Sequence, residues 1–298
     1  MRKRIVLSQN FIKDGKLADR LVNESSIDKD DCVLEIGAGV GTITQGLVKK
    51  SKKVVAFEID KNLFNKLNER FKRIKNLELR NEDFLHADLP AEMFKVFSNI
   101  PFNITAAVIR KLTQPSSYLQ DAFLIVQKEA AEKYVGIPYI NKNSQIAVLL
   151  YPRFEFSVIY NFSKDDFFPR PSVAVVLLRI KRKEPLLLKE NMEKEYQDFV
   201  AYSFNQFAPN IISGLSNIFD QHILTKTLNQ IGISPNARPS DIENYQWLKL
   251  FQSYMDFVET KKRGMLRGSY LQQLNQQSRL EKIHRTRTDK NWKERKNL

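Results

Sequence analysis

Residues Cys32-Val33-Leu34-Glu35-Ile36-Gly37-Ala38-Gly39-Val40-Gly41 form an apolar run that ends in three alternating glycines and opens a helix at Thr42. A strand, a glycine turn and a helix in that order constrain the fold more than any other stretch. The glycines let the backbone pass close to a ligand and take up dihedral angles closed to other residues. A second apolar run, Val54-Val55-Ala56-Phe57, follows the helix and ends in Glu58, and a third, Leu77 to Arg80, leads to Glu82-Asp83-Phe84. A fourth, Met93 to Phe97, leads to Asn99-Ile100-Pro101-Phe102. Asp121 to Gln127 reads as a fifth strand and Val173 to Ile180 as a late β-hairpin partner, with helices such as Lys61–Arg73 and Thr105–Leu112 between strands. The expectation is an α/β domain built on a doubly wound sheet over residues 1–182.

Each of these strands delivers a polar group to its end. Glu58, seventeen positions past Gly41, is placed to accept from both hydroxyls of a ribose, and Asp83 to receive the amino group of an adenine. Either acid alone reads as a solvated loop or cap residue; the ordered series favours a cofactor site. A nicotinamide dinucleotide site wants its last two glycines three apart. Here Gly37, Gly39 and Gly41 are each two apart with Glu35 just before them, which favours S-adenosylmethionine. Asn99-Ile100-Pro101-Phe102, an ordinary turn if taken alone, then acquires a meaning. An adenine amine is a poor nucleophile because its lone pair is delocalised into the ring. The Asn99 side-chain oxygen and the Ile100 carbonyl supply two acceptors for its N–H groups, and Phe102 supplies a stacking face worth roughly 1–3 kcal/mol.

Ser8-Gln9-Asn10-Phe11, Glu35 to Gly41, Glu58, Asp83-Phe84, Asn99 to Phe102 and Phe167-Phe168-Pro169-Arg170-Pro171-Ser172-Val173 occur in one order. In this the chain resembles the ribosomal RNA adenine N6-methyltransferases over residues 1 to 255. That superfamily includes the small-subunit dimethyladenosine transferases and the large-subunit Erm enzymes. Ile100 in the tetrapeptide and the following Asn103-Ile104-Thr105 look more like Erm, since the small-subunit enzymes more often carry Asn-Leu-Pro-Tyr. The resemblance implies a Rossmann-like class I methyltransferase sheet with a small C-terminal all-helical domain. It implies that Gln9 and Asn10 close over the methionine portion of S-adenosylmethionine, that Glu35, Gly37 and Gly39 line the site, and that Glu58 holds the ribose. Asp83 with Phe84 would hold the adenine, Asn99 the methionine amino end and the target amine, and Phe102 and Phe167 would sandwich the flipped base. The reaction implied is an in-line methyl transfer with no metal and no assigned general base. The favoured function is methylation of one adenine in the peptidyl-transferase region of 23S RNA, with resistance to macrolides, lincosamides and streptogramin B. A 16S RNA dimethyladenosine transferase of ribosome assembly is the alternative, and a non-catalytic RNA-binding relative the third reading. A DNA amino-methyltransferase is disfavoured, because Ile100 stands where those enzymes usually carry a second proline.

The rest of the composition agrees. The three histidines, His86, His222 and His284, are scattered, and Cys32 lies inside the first strand as a core thiol from which no zinc pattern can be built. The basic then briefly apolar start, Met1 to Leu7, is too short for the core of a signal peptide, and no stretch approaches the roughly 20 apolar residues that span a bilayer. A reduced, cytoplasmic protein with no membrane partner is expected, and nothing demands more than a monomer. The net charge of +14 over 298 residues calls for an anionic partner, which the resemblance makes ribosomal RNA. Beyond Lys181-Arg182-Lys183-Glu184-Pro185, helical periodicities near 191–207, 216–231 and 240–259 suggest a helical RNA-gripping domain over 183–259. From Glu259 onward twelve cations face four acids among few apolar residues, which reads as a basic tail, 260–298, mobile until it meets phosphate. Removing the residues after Thr260 is expected to weaken RNA binding and flatten its salt dependence while sparing cofactor binding; titration of RNA at several salt concentrations checks this.

Overall fold

The structure is a computed structural model that describes residues 10–137 and 141–279. The chain opens with β1 (Phe11–Ile12) and α1 (Gly15–Glu24), then runs β2 (Cys32–Ile36), α2 (Thr42–Lys50), β3 (Lys53–Phe57), α3 (Lys61–Phe71) and β4 (Leu77–Arg80). It continues through β5 (Phe94–Asn99), α4 (Thr105–Leu112), β6 (Leu119–Gln127), α5 (Lys128–Val135), α6 (Gln145–Leu150), β7 (Phe154–Asn161), β8 (Phe167–Phe168) and β9 (Val175–Arg182). The main sheet has the order β4-β3-β2-β5-β6-β9-β7. Its first five strands are parallel and β9 lies antiparallel between β6 and β7, so the late strand partners two neighbours.

The strands read as continuous apolar runs because helices cover both faces. Alternation assigns Leu34, Ile36, Val55, Phe57, Val96 and Leu124 to one core, and Val33, Val54, Ala56, Phe97, Phe123 and Ile125 to the other. From β2 the chain first builds outward through β3 and β4, then returns to place β5 on the other side. This reversal puts the carboxyl ends of β2 and β5 side by side, the position where open α/β sheets bind ligands. Gly37 and Asn99 therefore become neighbours although sixty-two residues apart in sequence.

A third core gathers Tyr196, Phe199, Trp247, Leu250, Phe251 and Tyr254 from α7 (Glu190–Phe204) and α10 (Asn244–Phe257), closed by α8 (Ile211–Leu215) and α9 (Gln221–Ile231). Val148 and Leu149 of α6 belong to it as well, and the Tyr196 hydroxyl donates to the Val148 carbonyl at 3.0 Å. The buried Arg153 adds a second tie. Its guanidinium donates to the carbonyls of Thr113, Gln114 and Pro115 at the end of α4, and lies 3.4 Å from the Glu193 carboxylate on α7. Asn143 adds a third through Ile242 and Asn244.

The expectation of a free tail from residue 260 differs from the structure over its first twenty residues. Thr260–Arg263 forms α11 and Ser269–Arg279 forms α12, with Leu266 buried between them. The cause lies in α7. Buried Asp198 accepts from the Gly268 and Tyr270 amides at 2.9 and 3.0 Å, capping the start of α12 with a negative charge. Gln273 and Gln145 exchange amide hydrogen bonds at 2.7 and 2.8 Å. Residues 280–298, with seven of the twelve cations, lie outside the described residues, so a truncation that isolates their contribution falls after Arg279. Among the described residues no helix is long and apolar enough to cross a membrane.

Two buried phenols make a paired test of this core. The Tyr196 hydroxyl is hydrogen-bonded, whereas that of Tyr254 is buried with no partner among the described residues, and burial holds both phenols well above their ordinary pKa. Tyr196→Phe is expected to cost about 1 kcal/mol and Tyr254→Phe to leave stability unchanged or raised, as read from denaturant unfolding midpoints.

Candidate active site

Two loops at the carboxyl ends of β2 and β5, together with β1, build a cleft lined by Asn10, Phe11, Gly37, Asn99, Ile100, Pro101 and Phe102. A contiguous recess is lined by Glu35, Ala38, Val40, Thr42 and Ile43. The glycine turn between β2 and α2 is shaped by its neighbours. Gly37 and Ala38 donate to the Phe57 carbonyl, and Gly39 donates to a Glu58 carboxylate oxygen at 2.8 Å. At Gly39 φ is +60°, and a Cβ there would meet the Phe11 ring at 2.6 Å. Only glycine satisfies both the backbone and the close approach.

Glu58 is buried at the end of β3, its second oxygen accepting from the Asp60 amide at 2.9 Å. A carboxylate has about four acceptor positions, so two backbone donors orient it and leave capacity for a diol. Directly after it Ile59 stands 56% exposed, an apolar surface beside a diol acceptor, as one face of a nucleobase requires. Sequence reading passed over Ile59; its signal was a lone apolar residue between Glu58 and Asp60 at a strand end.

Asp83 caps the turn after β4, one oxygen accepting from the Leu85 amide at 2.9 Å and the other 3.1 Å from the His86 imidazole. The Phe84 ring is committed to the core, edge-on to Phe57 at 5.3 Å with the Lys111 ammonium over its face. With its ring so occupied, what Phe84 has to offer an adenine is its main chain.

Asn99 ends β5, and its amide nitrogen donates to the Asn10 carbonyl at 2.6 Å. Because that partner can only accept, the Asn99 NH₂ must face it and Oδ1 remains the acceptor. Ile100 is buried, its amide donating to the Ile125 carbonyl at 3.1 Å. Half-buried Phe102 opens the helical turn that leads into α4. Gln9 lies outside the described residues.

Phe167 is placed differently from expectation. It is fully buried, edge-on to Phe162 at 5.2 Å, and offers no ring face to the cleft. The cause is the pairing of β8 with β1, which sets Ile12 against Phe167 and Phe11 against Phe168. Strand alternation then turns one aromatic inward and the other outward.

Glu35 is buried in β2, accepts from the Thr44 hydroxyl at 2.6 Å, and has its carboxyl pushed up to about 8 by burial. At neutral pH it is a neutral acid beneath the glycine turn, ready to ionise when a cation arrives. Cys32 is half-buried and burial raises its thiol, which removes it from nucleophilic chemistry. A glycine cradle without room for a Cβ, a diol acceptor, an apolar base face and an ionisable acid fit S-adenosylmethionine.

The family model described as ribosomal RNA adenine dimethylase matches residues 1–256. A protein of Caldanaerobacter subterraneus subsp. tengcongensis named ribosomal RNA small subunit methyltransferase A is 34% identical over 251 residues, covering 81% of this chain and 93% of its own. The protein of that name from Thermotoga neapolitana is 33% identical, covering 76% and 86%. The crystal structure of the 23S rRNA methyltransferase ErmE is similar with a TM-score of 0.77 and 28% identity, over 83% of this chain and all of that one. A dimethyladenosine transferase from Plasmodium falciparum shares the fold at 20% identity, with a TM-score of 0.68 over 83% and 99%.

The buried acid makes a pH prediction. Folded Glu35 keeps its proton up to about 8, whereas the unfolded chain releases it near 4.5, so the folded state binds more protons between these values and loses stability as pH rises through them. Wild type is expected to lose roughly 2–3 kcal/mol from this group between pH 6 and 8, a slope absent from Glu35→Gln. Unfolding of both proteins across that range without cofactor checks it.

Proposed function

The chain belongs to the ribosomal RNA adenine dimethylase family, S-adenosylmethionine-dependent rRNA methyltransferases, and from that premise we propose that it methylates N6 of adenine in small-subunit RNA. The observation that carries the choice of subunit is the name shared by the curated relatives with about a third of their residues identical. The large-subunit reading rests on Ile100 in the tetrapeptide and on the Asn103-Ile104-Thr105 that follows it. Ile100 is buried in the core, so its side chain answers to packing and says little about which RNA is bound. What keeps the 23S reading as a second one is the similarity to ErmE; the antibiotic-resistance role would follow only from that reading.

S-adenosylmethionine supplies, when bound, an electrophilic methyl group on a sulfonium. In this reading Glu58 accepts from the ribose hydroxyls and Ile59 covers one face of the adenine, with Asp83 at its amino group and the Phe84 main chain alongside. Asn10, Gly37 and Gly39 line the methionine end, and Glu35 answers its positive charge by releasing a proton. Asn99 Oδ1 and the Ile100 carbonyl accept from the target amine, which draws its lone pair out of conjugation. Pro101 fixes the turn that carries the carbonyl, and Phe102 stacks on the extruded base. Holding the amine in line accounts for about 7–11 kcal/mol of the barrier. The proton leaves to solvent after transfer.

Asn99→Ala is expected to remove nearly all turnover, on the order of a hundred-fold or more, while fold and cofactor affinity persist, as read by methyl incorporation and calorimetry. Incubation of the protein with labelled S-adenosylmethionine and separately with unmodified small- and large-subunit RNA, followed by mapping, decides the substrate. Label on small-subunit RNA adenines supports the proposal, label confined to the peptidyl-transferase region of 23S RNA replaces it with the second reading, and no label on either overturns both.

A further inference from the structure

We propose that Phe168 and Arg170 form a docking surface for single-stranded RNA, on which the nucleotide adjoining the target adenine stacks outside the pocket. The proposal rests on the RNA-methylating reading above and extends it to a surface that reading leaves unused. Phe168 is 69% exposed, an unusual cost for a phenylalanine on a short strand. Its place follows from register: it pairs directly with Phe11, whose ring crosses the glycine turn at Gly39 and lines the cleft with Asn99 and Phe102. Directly opposed residues of an antiparallel pair project to the same side. Phe168 therefore stands on the Phe11 side of the strand pair, beside the mouth of the cleft.

A ring so open cannot enclose a base as a catalytic pocket must, but it offers a face to one that remains outside. Two residues on, the exposed Arg170 guanidinium lies 3.3 Å from the exposed Asp165 carboxylate. A solvent-facing pair of this kind contributes little, so a phosphate can displace the acid. The Lys164 ammonium holds the loop by donating to the Ser172 carbonyl at 2.6 Å. Ring and guanidinium together match the two elements of single-strand recognition, a stacking face and a backbone cation, on a chain of net charge +14. A protein partner would need a wider apolar area than this ring beside a cation provides.

The test uses the full chain and a short fluorescein-labelled single-stranded RNA carrying the sequence around the methylated adenine, read by anisotropy and by methyl transfer. Phe168→Ala is expected to weaken binding about tenfold or more and to raise the KM for RNA, with kcat and cofactor affinity near wild type; Phe168→Tyr should restore binding. Arg170→Gln should lower the salt slope of binding by about one. An abasic residue beside the target should raise KM in wild type and add nothing in Phe168→Ala. Unchanged RNA affinity in Phe168→Ala overturns the proposal, as does a fall in kcat at constant KM, which would place the ring on the target base itself. If wild type labels no ribosomal RNA, the proposed function fails; the anisotropy comparison, made then with a mixed-sequence single strand, still judges the docking surface.

Discussion

The buried hydrogen bond from the Ile36 amide to the Ser98 hydroxyl, 2.7 Å long, sits at the point on which the cleft depends. Pairing of β2 with β5 runs through Val33 and Leu34. Past that point the two strands part, as they must for a ligand to enter between the loops that follow them. A parting strand exposes ladder groups, and a buried amide without a partner costs about 1–3 kcal/mol. Ser98 removes that cost with a side chain, so the strands can separate one residue before the glycine turn and one before Asn99.

What lies around the opening is held by groups that also face it. Asn99 gives its nitrogen to the Asn10 carbonyl and keeps its oxygen, while Glu58 is oriented by two backbone amides and keeps spare lone pairs. Each polar side chain is thus aimed before any ligand arrives, which is where electrostatic preorganisation resides. Glu35 is the exception in charge: burial keeps it neutral until a cation compensates. A basic exterior and an acidic interior divide the work of attracting RNA and receiving a cationic cofactor.

The parallel strands, their glycine turn and the polar residues at their ends were legible because each is a local pattern: an apolar run, then glycine or an acid. β9 was legible as a strand, but its place between β6 and β7 was not, since strand order is a long-range property. That Phe167 turns inward and Phe168 outward has the same origin. Two adjacent aromatics carry no mark of which turns inward; pairing with Phe11 and Ile12, over 150 residues away, decides it. Phe84 shows the limit of motif reasoning in another way, because the motif names the position while its ring packs into the core. The packing of α12 against α7 was hidden for a third reason. The glutamine-rich sequence of α12 carries few apolar residues, and the residue that fixes its start, Asp198, lies in a helix seventy residues earlier.

Arg153 bears on entropy. α4 begins three residues after Phe102 and, at eight residues, is a rod about 12 Å long whose far end is gripped by that guanidinium. The same guanidinium is anchored to α7 through Glu193. Turning the helical layer against the sheet would strip a buried cation of its only carboxylate among the described residues, at a cost of about 3–5 kcal/mol. Relative rotation of the layers is therefore frozen out when the chain folds. The freedom that two hinged bodies would surrender on meeting a substrate has already gone, and the binding step is relieved of that entropic penalty.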